Sequence, residues 1–383
     1  MATTAESLSV RELRGRELLH ELGERLDDLL TGTGAPITAR RPWLQTWIDC
    51  YTDLEPFALV VEGGGRIEAA ALLASRRRRG RTEIVGLGHG PCDQLRLPAR
   101  TPEAGRALAA AVARALRARR GAWILRFEQL PEGDPVAAAI ARDLPVAAVV
   151  PGDPSPAMAF DKGRDFKSYV GHNSRGVAKT MRNRMKRNGL DLVVQGLRDA
   201  ERVVEALPEV ERVHRDRDVQ LVRKSDLDDP RMAEFWRAAI AQHVALGELE
   251  LVTLRLNGTL AGYVVGLLDG ESYRLWDGRF ASEFAWYSPG RLADQAALAS
   301  ALEDERFQEF DWMRGMEGYK LRNSSHAVPA EHLLAWSSRL LRAEDEWPRK
   351  SKAALKRFRD RSTVLRKAWL AVKSRVIVRD KSR

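Results

Sequence analysis

The sequence predicts an α+β protein of two tandem domains, each a mostly antiparallel mixed sheet flanked by helices, with a basic helix at the C-terminal end. Three observations point there. A chain of 383 residues is longer than one hydrophobic core usually supports. One order of elements, a three-strand meander followed by a helix and a strand, is read twice along it. Positive charge gathers at one end. The expected divisions are 1–155, 156–338 and a tail over 339–383.

In the first copy, "FALVVEGGGRIEAAALLASRRRRGRTEIVGLG" gives three strands separated by turns at Gly63–Gly65 and Gly80. "TPEAGRALAAAVARALRARR" then sets alanine and leucine at helical spacing behind a Thr101 cap, and "GAWILRFEQL" returns as a strand. Helices in "LRGRELLHELGERLDDLL" and "RPWLQTWIDCY" precede this copy. "PGDPSP" at 151–156 reads as a linker. Beyond it, "DFKSYVGHNSRGVAKTMRNRMKRNG" predicts one helix stopped by Asn188-Gly189. Its cations Arg175, Lys179, Arg182, Arg184, Lys186 and Arg187 have no acid among them, and Met181 and Met185 give it an apolar side.

The second copy follows a helix in "DPRMAEFWRAAIAQHVALG" and begins at Leu249. "LELVTLRLNGTLAGYVVGLLDGESYRLWDGRF" carries Asn257-Gly258 and Asp269-Gly270 between apolar runs, both strong hairpin signals. A helix opens on Ser288-Pro289-Gly290, and "FQEFDWM" closes the copy as a strand ending at Asp311. Residue identity between the copies is negligible, so the repeat is one of architecture.

Composition excludes several classes. The net charge of +10 is misleading: residues 348–383 hold 14 Lys/Arg against Asp360 and Asp380, or +12, leaving −2 for residues 1–347. The body is nearly neutral, which argues against a nucleic-acid-binding body. No run of eighteen apolar residues occurs, and "MATTAESLSVREL" lacks an apolar signal core, pointing to the cytoplasm. Cys50 and Cys92 form no metal-ligand or disulfide pattern, and the scattered histidines offer no second ligand at metal spacing, so no metal is expected. "SRRRRGR" at 75–81 reads as charge protecting a strand edge.

The chemistry gathers in the second copy. Two strand ends, "DGRF…WYSPG" and "DWMRGMEGYK", each deliver polar residues and glycine before a helix, an arrangement that places ligands in mixed sheets. Asp277, Tyr287, Asp311, Tyr319 and Lys320 are the convergent polar groups. The amides after Ser288-Pro289-Gly290, with Arg291 beside them, either simply begin a helix or hold an anion. The basic helix, with Arg175 and Arg182 chosen as substrate contacts, is either a solvated face or a site for a nucleotide phosphate, a tRNA acceptor end or an anionic glycan.

At these motifs the sequence resembles the GNAT acetyltransferase superfamily, in its tandem-domain branch of CelD-like, cellulose-biosynthesis-associated enzymes, with Fem-type aminoacyltransferases as cousins. The resemblance rests on "RPWLQTWIDCY", "GHGPCDQLRLPA", "SYVGHNSRGVAKTMRNRMKR", "LNGTLAGYVVGLLDGESYRLWDGRF", "YSPGRL" and "DWMRGMEGYK", and spans roughly residues 40–335. It implies transfer of an acyl group from acyl-CoA, such as acetyl-CoA, to an amine on a small molecule or glycan in cell-envelope or polysaccharide metabolism. The first domain would be degenerate. A Fem-type enzyme would draw instead on aminoacyl-tRNA. Where the family carries an Arg/Gly-rich phosphate cradle, this chain has Tyr287-Ser288-Pro289-Gly290-Arg291.

Amine attack on a thioester needs a base for the amine and an acid for the leaving thiolate. Asp311 or Asp277 is the expected base, and Tyr319 or Tyr287 the expected acid. Asp311 as a strand-end cap, Tyr319 as a packed aromatic and Lys320 as a solvated helix charge are the plainer readings. In the tail, Leu355, Phe358, Leu365, Trp369, Val372 and Val376 form an apolar stripe among cations. It would pack on the body, pair with a second copy or lie on an anionic membrane surface, which would make the protein peripheral at the inner membrane. A non-enzymatic binder acting through this tail is the rival reading.

Overall fold

The computed structural model describes residues 7–346 other than 92, 162 and 222. The tail stripe therefore lies outside the described residues. The described chain forms two compact units: one holds the residues up to Pro154 together with those from Pro329 onward, the other Ser155–Val328.

The first unit starts with β1 (Ser9–Arg14), α1 (Leu18–Gly32) and α2 (Arg41–Cys50). The predicted meander follows as β2 (Glu55–Gly63), β3 (Arg66–Arg78) and β4 (Arg81–Gly86). The Gly64 and Gly65 turn adopts the positive φ that glycine tolerates. Next come α3 (Pro102–Ala118), β5 (Trp123–Pro131), α4 (Pro135–Asp143) and β6 (Ala147–Pro151). Thr101 caps α3 as expected, accepting from the Ala104 amide at 3.1 Å. Leu108, Val112 and Leu116 on α3 join Leu59, Val61 and Leu73 of the sheet in one core.

The second unit opens with β7 (Ser155–Ala159). The basic segment is broken at Gly171 into a single turn, α5 (Phe166–Tyr169), and α6 (His172–Arg187), where one helix is expected. Asn188 and Gly189, the latter at φ +66°, end α6 as predicted. Then come β8 (Leu192–Leu197), α7 (Ala200–Gln220), α8 (Pro230–Ala245) and the second meander: β9 (Leu249–Leu256), β10 (Thr259–Asp269) and β11 (Ser272–Phe280). α9 (Pro289–Glu303), β12 (Glu309–Asp311), α10 (Gly318–Arg322) and β13 (His326–Val328) complete it. The final strand, β14 (Ala330–Trp336), returns to the first sheet.

The two seven-stranded sheets run β1-β2-β3-β4-β5-β14-β6 and β8-β9-β10-β11-β12-β7-β13. They share one plan. Four antiparallel strands lead, the helix α3 or α9 crosses over, and the next strand pairs parallel: β4 with β5, β11 with β12. The sequence repeat captured this plan except for its first strands, β1 and β8. The second unit ends at Val328 rather than 338, because β14 pairs with β5 and β6.

Candidate functional site

Strand β11 is the platform. Its register with β10 slips so that Asp277 faces Val265 and Leu275 faces Gly266, leaving Trp276 as the extra residue of a bulge. β11 pairs with β12 only over Ser272–Arg274, then runs on to Phe280 while β12 stops at Asp311. Beyond Arg274, β11 has no parallel partner. From the end of β11 the chain enters α9; from the end of β12 it passes to α10.

The entry to α9 differs from that of α3. Ser288 has φ +52° and makes no side-chain cap bond, and Pro289 has no N–H to satisfy. The amides of Gly290 and Arg291 thus head a helix of 15 residues with no capping acceptor. Gly290 is required there: a Cβ would lie 2.9 Å from the Phe280 ring. Around Gly86 at the end of β4, Leu95 and Phe127 stand 3.0 and 3.1 Å from where a Cβ would be, and Leu95 donates its amide to the Gln129 carbonyl at 2.9 Å.

Asp277 does not stand free as a base. Its Oδ2 accepts from Tyr263 at 2.7 Å and Trp236 at 3.3 Å and lies 3.0 Å from His214 Nδ1, while Oδ1 is 3.0 Å from Arg279. Burial alone would raise its pKa, but Arg279 and His214 hold it well below the usual carboxylate range. His214 is the centre of this cluster, with Asp218 3.3 Å from its Nε2. Burial opposes the imidazolium charge, yet Asp277 and Asp218 outweigh it and lift His214 to about 9. Asp218 is itself held down at about 2: burial opposes this, and the bonds from His214, Ser225 and Arg223 prevail. Asp277 is therefore a permanent anion inside a salt-bridge network, an arrangement with no role for a proton acceptor.

Asp311 is likewise buried, and its carboxylate is engaged on both oxygens. Arg274 donates to Oδ2 at 2.5 Å, and the Met313 amide donates to Oδ1 at 2.8 Å. The plainer reading of a strand-end cap describes what it does. Lys320 is also buried rather than solvated; its ammonium donates to the Arg314 carbonyl at 2.7 Å and lies 3.4 Å from Glu317. It stitches the loop after β12. Arg175 is turned inward too, donating to the carbonyls of Val170, at 2.5 Å, and Lys167.

Other predicted residues reach the surface. Arg182 is exposed beside a cleft of about 480 Å³ on the flank of α9, shared with Glu250, Gln295 and Ser300. Tyr287 accepts from Asn188 Nδ2 at 2.7 Å, tying the turn before α9 to the end of α6. Beside it Arg184 lies 4.3 Å above the ring of the exposed Trp286. Tyr319 packs edge-on against Trp312 at 6.2 Å and remains 40% exposed. Burial, with the charges of Asp294 and Glu317, raises its pKa, so its hydroxyl keeps its proton.

Asp294 stands out for its electrostatic surroundings. It lies one turn into α9 and reads in sequence as an i,i+3 surface partner of Arg291. Its side chain keeps some solvent access, yet the surrounding protein lifts its pKa to about 7 by burial, with Lys320 and Arg291 pulling the other way. Among the described residues, no group of three or more His, Cys, Asp or Glu is placed to hold a metal ion.

Comparison with curated proteins finds no match. The chain is similar in structure to FemX, with TM-score 0.55 and 8% identity over 80% of this chain and 95% of that one. It is also similar to the C-terminal domain assigned to a lysylphosphatidylglycerol synthetase of Agrobacterium fabrum, at TM-score 0.51 and 11% identity over 82% and 92% of the two chains. A conserved protein of unknown function from Bacteroides thetaiotaomicron gives TM-score 0.50 and 13% identity over 81% and 97%. Residues 172–321 match the family described as acetyltransferase (GNAT) domain. Most of the second unit is thus similar to the acetyltransferase (GNAT) domain, and the first unit repeats its order of strands.

Proposed function

We propose that the second unit is an N-acyltransferase that moves an acyl group from acyl-CoA, with acetyl-CoA as the reference donor, to an amine on a small molecule or glycan. The observation that carries this reading is the uncapped start of α9, which follows β11 where that strand has run on past the end of β12. Free amides at a helix N-terminus suit the pyrophosphate of a coenzyme, and Gly290 and Arg291 would hold it. The acyl-bearing arm would run from there along the unpaired end of β11, with Tyr319 of α10 as a hydroxyl donor for the departing sulfur. The first unit, whose corresponding helix α3 is capped by Thr101, is the degenerate partner. A cytoplasmic, CelD-like enzyme of envelope polysaccharide metabolism, held at an anionic membrane surface by its basic tail, is the setting we infer from the sequence resemblance.

Calorimetry of the full chain with acetyl-CoA and longer acyl-CoAs tests the reading. Binding is expected, and Gly290→Val should weaken it by forcing the first turn away from Phe280. No binding to any acyl-CoA would sink the coenzyme version. The second reading, an aminoacyl-tRNA donor, draws on the exposed cations of α6, where Thr180, Asn183, Lys186 and Arg187 line a shallow groove. Steeply salt-dependent binding of charged tRNA, lost when Lys186 and Arg187 are neutralised, would favour it.

A further inference from the structure

We infer that α6 and Trp286 together form a docking face for an anionic lipid bilayer: the exposed cations of the helix lie against lipid phosphates, and the indole enters the headgroup layer. The inference goes beyond the acyltransfer reading and does not depend on it. It puts a membrane contact on folded residues of the second unit rather than on the tail.

The charge comes from α6, a helix of 16 residues without one acid. Lys179, Arg182, Lys186 and Arg187 are exposed on it, and among the described residues none of the four holds a carboxylate. Elsewhere in this unit Arg215, Arg223, Arg237 and Arg255 each do. Lys179, Arg182 and Lys186 recur at three and four residues, so they line one side of the helix over about 10 Å. Asp191 after the helix and Glu283 in the turn before α9 are exposed acids beside it, and they leave the face net positive. An unbalanced row of this kind attracts a negatively charged plane.

Trp286 supplies the apolar part. It is 68% exposed, and among the described residues no other tryptophan is exposed. Its place beside the cations is fixed. Arg184 donates to the Trp286 carbonyl at 3.0 Å and lies 4.3 Å above the ring, while Asn188 donates to the Tyr287 hydroxyl at 2.7 Å. Phe284 and Tyr287 pack with Met181 and Met185 beneath. The turn before α9 and α6 therefore present indole and cations as one surface. An indole at the boundary of wet and apolar surroundings, ringed by Lys and Arg, suits an anionic headgroup layer. A nucleic acid fits less well, because Arg184 already covers one of the two ring faces on which a base could stack.

The test uses the full chain and vesicles of phosphatidylcholine and phosphatidylserine in equal parts, with and without bromine on the phosphatidylcholine chains near the headgroup. The fluorescence difference between wild type and Trp286→Phe isolates this one indole from the others. Brominated vesicles should quench that difference, and vesicles of phosphatidylcholine alone should not. Replacing Lys186 and Arg187 together by alanine should weaken partition to the mixed vesicles about 30-fold, roughly fivefold per cation, and remove the quenching. Vesicle binding with the Trp286 difference unquenched assigns the contact to another part of the chain and overturns the inference. Binding of tRNA through Lys186 and Arg187 without quenching by lipid overturns it too. A wild type that ignores mixed vesicles altogether overturns both this face and the tail anchoring inferred above.

Discussion

Raising the pH should loosen α7 against β11 in a window set by His214. The imidazole sits between Asp277 and Asp218, and its pKa stands at about 9 in the folded protein against 6.5 for an ordinary histidine. A group with a raised folded pKa lends its stability fully below the unfolded value and loses it as pH climbs through the folded one. The contribution is therefore intact at pH 6 and fades between about 6.5 and 9. At roughly 1.4 kcal/mol per factor of ten, the difference amounts to about 3 kcal/mol. The assay is hydrogen exchange of peptides covering residues 200–220, corrected for intrinsic rates, at pH 6 and pH 9.5. Wild type should lose protection across that window, and His214→Gln, which keeps a hydrogen-bond donor but no titrating group, should be flat. Equal pH dependence in both proteins would refute the reasoning.

Gly266→Ala should be severely destabilising for the second unit. The new Cβ would lie 2.1 Å from the hydroxyl of Tyr273, which is fully buried, stacked on Phe310 and bonded to Glu250. A loss of about 3 kcal/mol, read from urea denaturation, is expected; wild-type stability would contradict the packing. Asp311→Ala should also cost about 3 kcal/mol, because it strips Arg274 of one of its two carboxylate partners in a buried setting. A variant with full stability but no turnover would return Asp311 to a chemical role.

The local grammar of the fold was legible in the sequence. Asn257-Gly258 and Asp269-Gly270 name their hairpins because turn chemistry and alternation are short-range signals. The short edge strands β1 and β8 were not, since each is largely exposed and lacks a clear apolar face. The candidate site was legible as a place but not as a set of roles. Ser288-Pro289-Gly290 and the stretch from Asp311 to Lys320 do follow the two parallel-paired strands. Yet the partners that decide what Asp277 and Asp311 do, His214 and Arg274, lie 63 and 37 residues away in the chain. Side-chain direction hid the rest: Arg175 and Lys320 look like free cations in sequence and turn inward to carbonyls.

β14 carries a consequence for synthesis of the protein. The first sheet leaves a slot between β5 and β6 that only residues 330–336 fill. Leaving the ribosome, the N-terminal half must wait with β5 unmated on one side until almost the whole described chain has emerged. A fragment stopping near residue 155 would carry that bare edge permanently and invite aggregation. Ending the chain at Val328 would injure the half of the molecule made first.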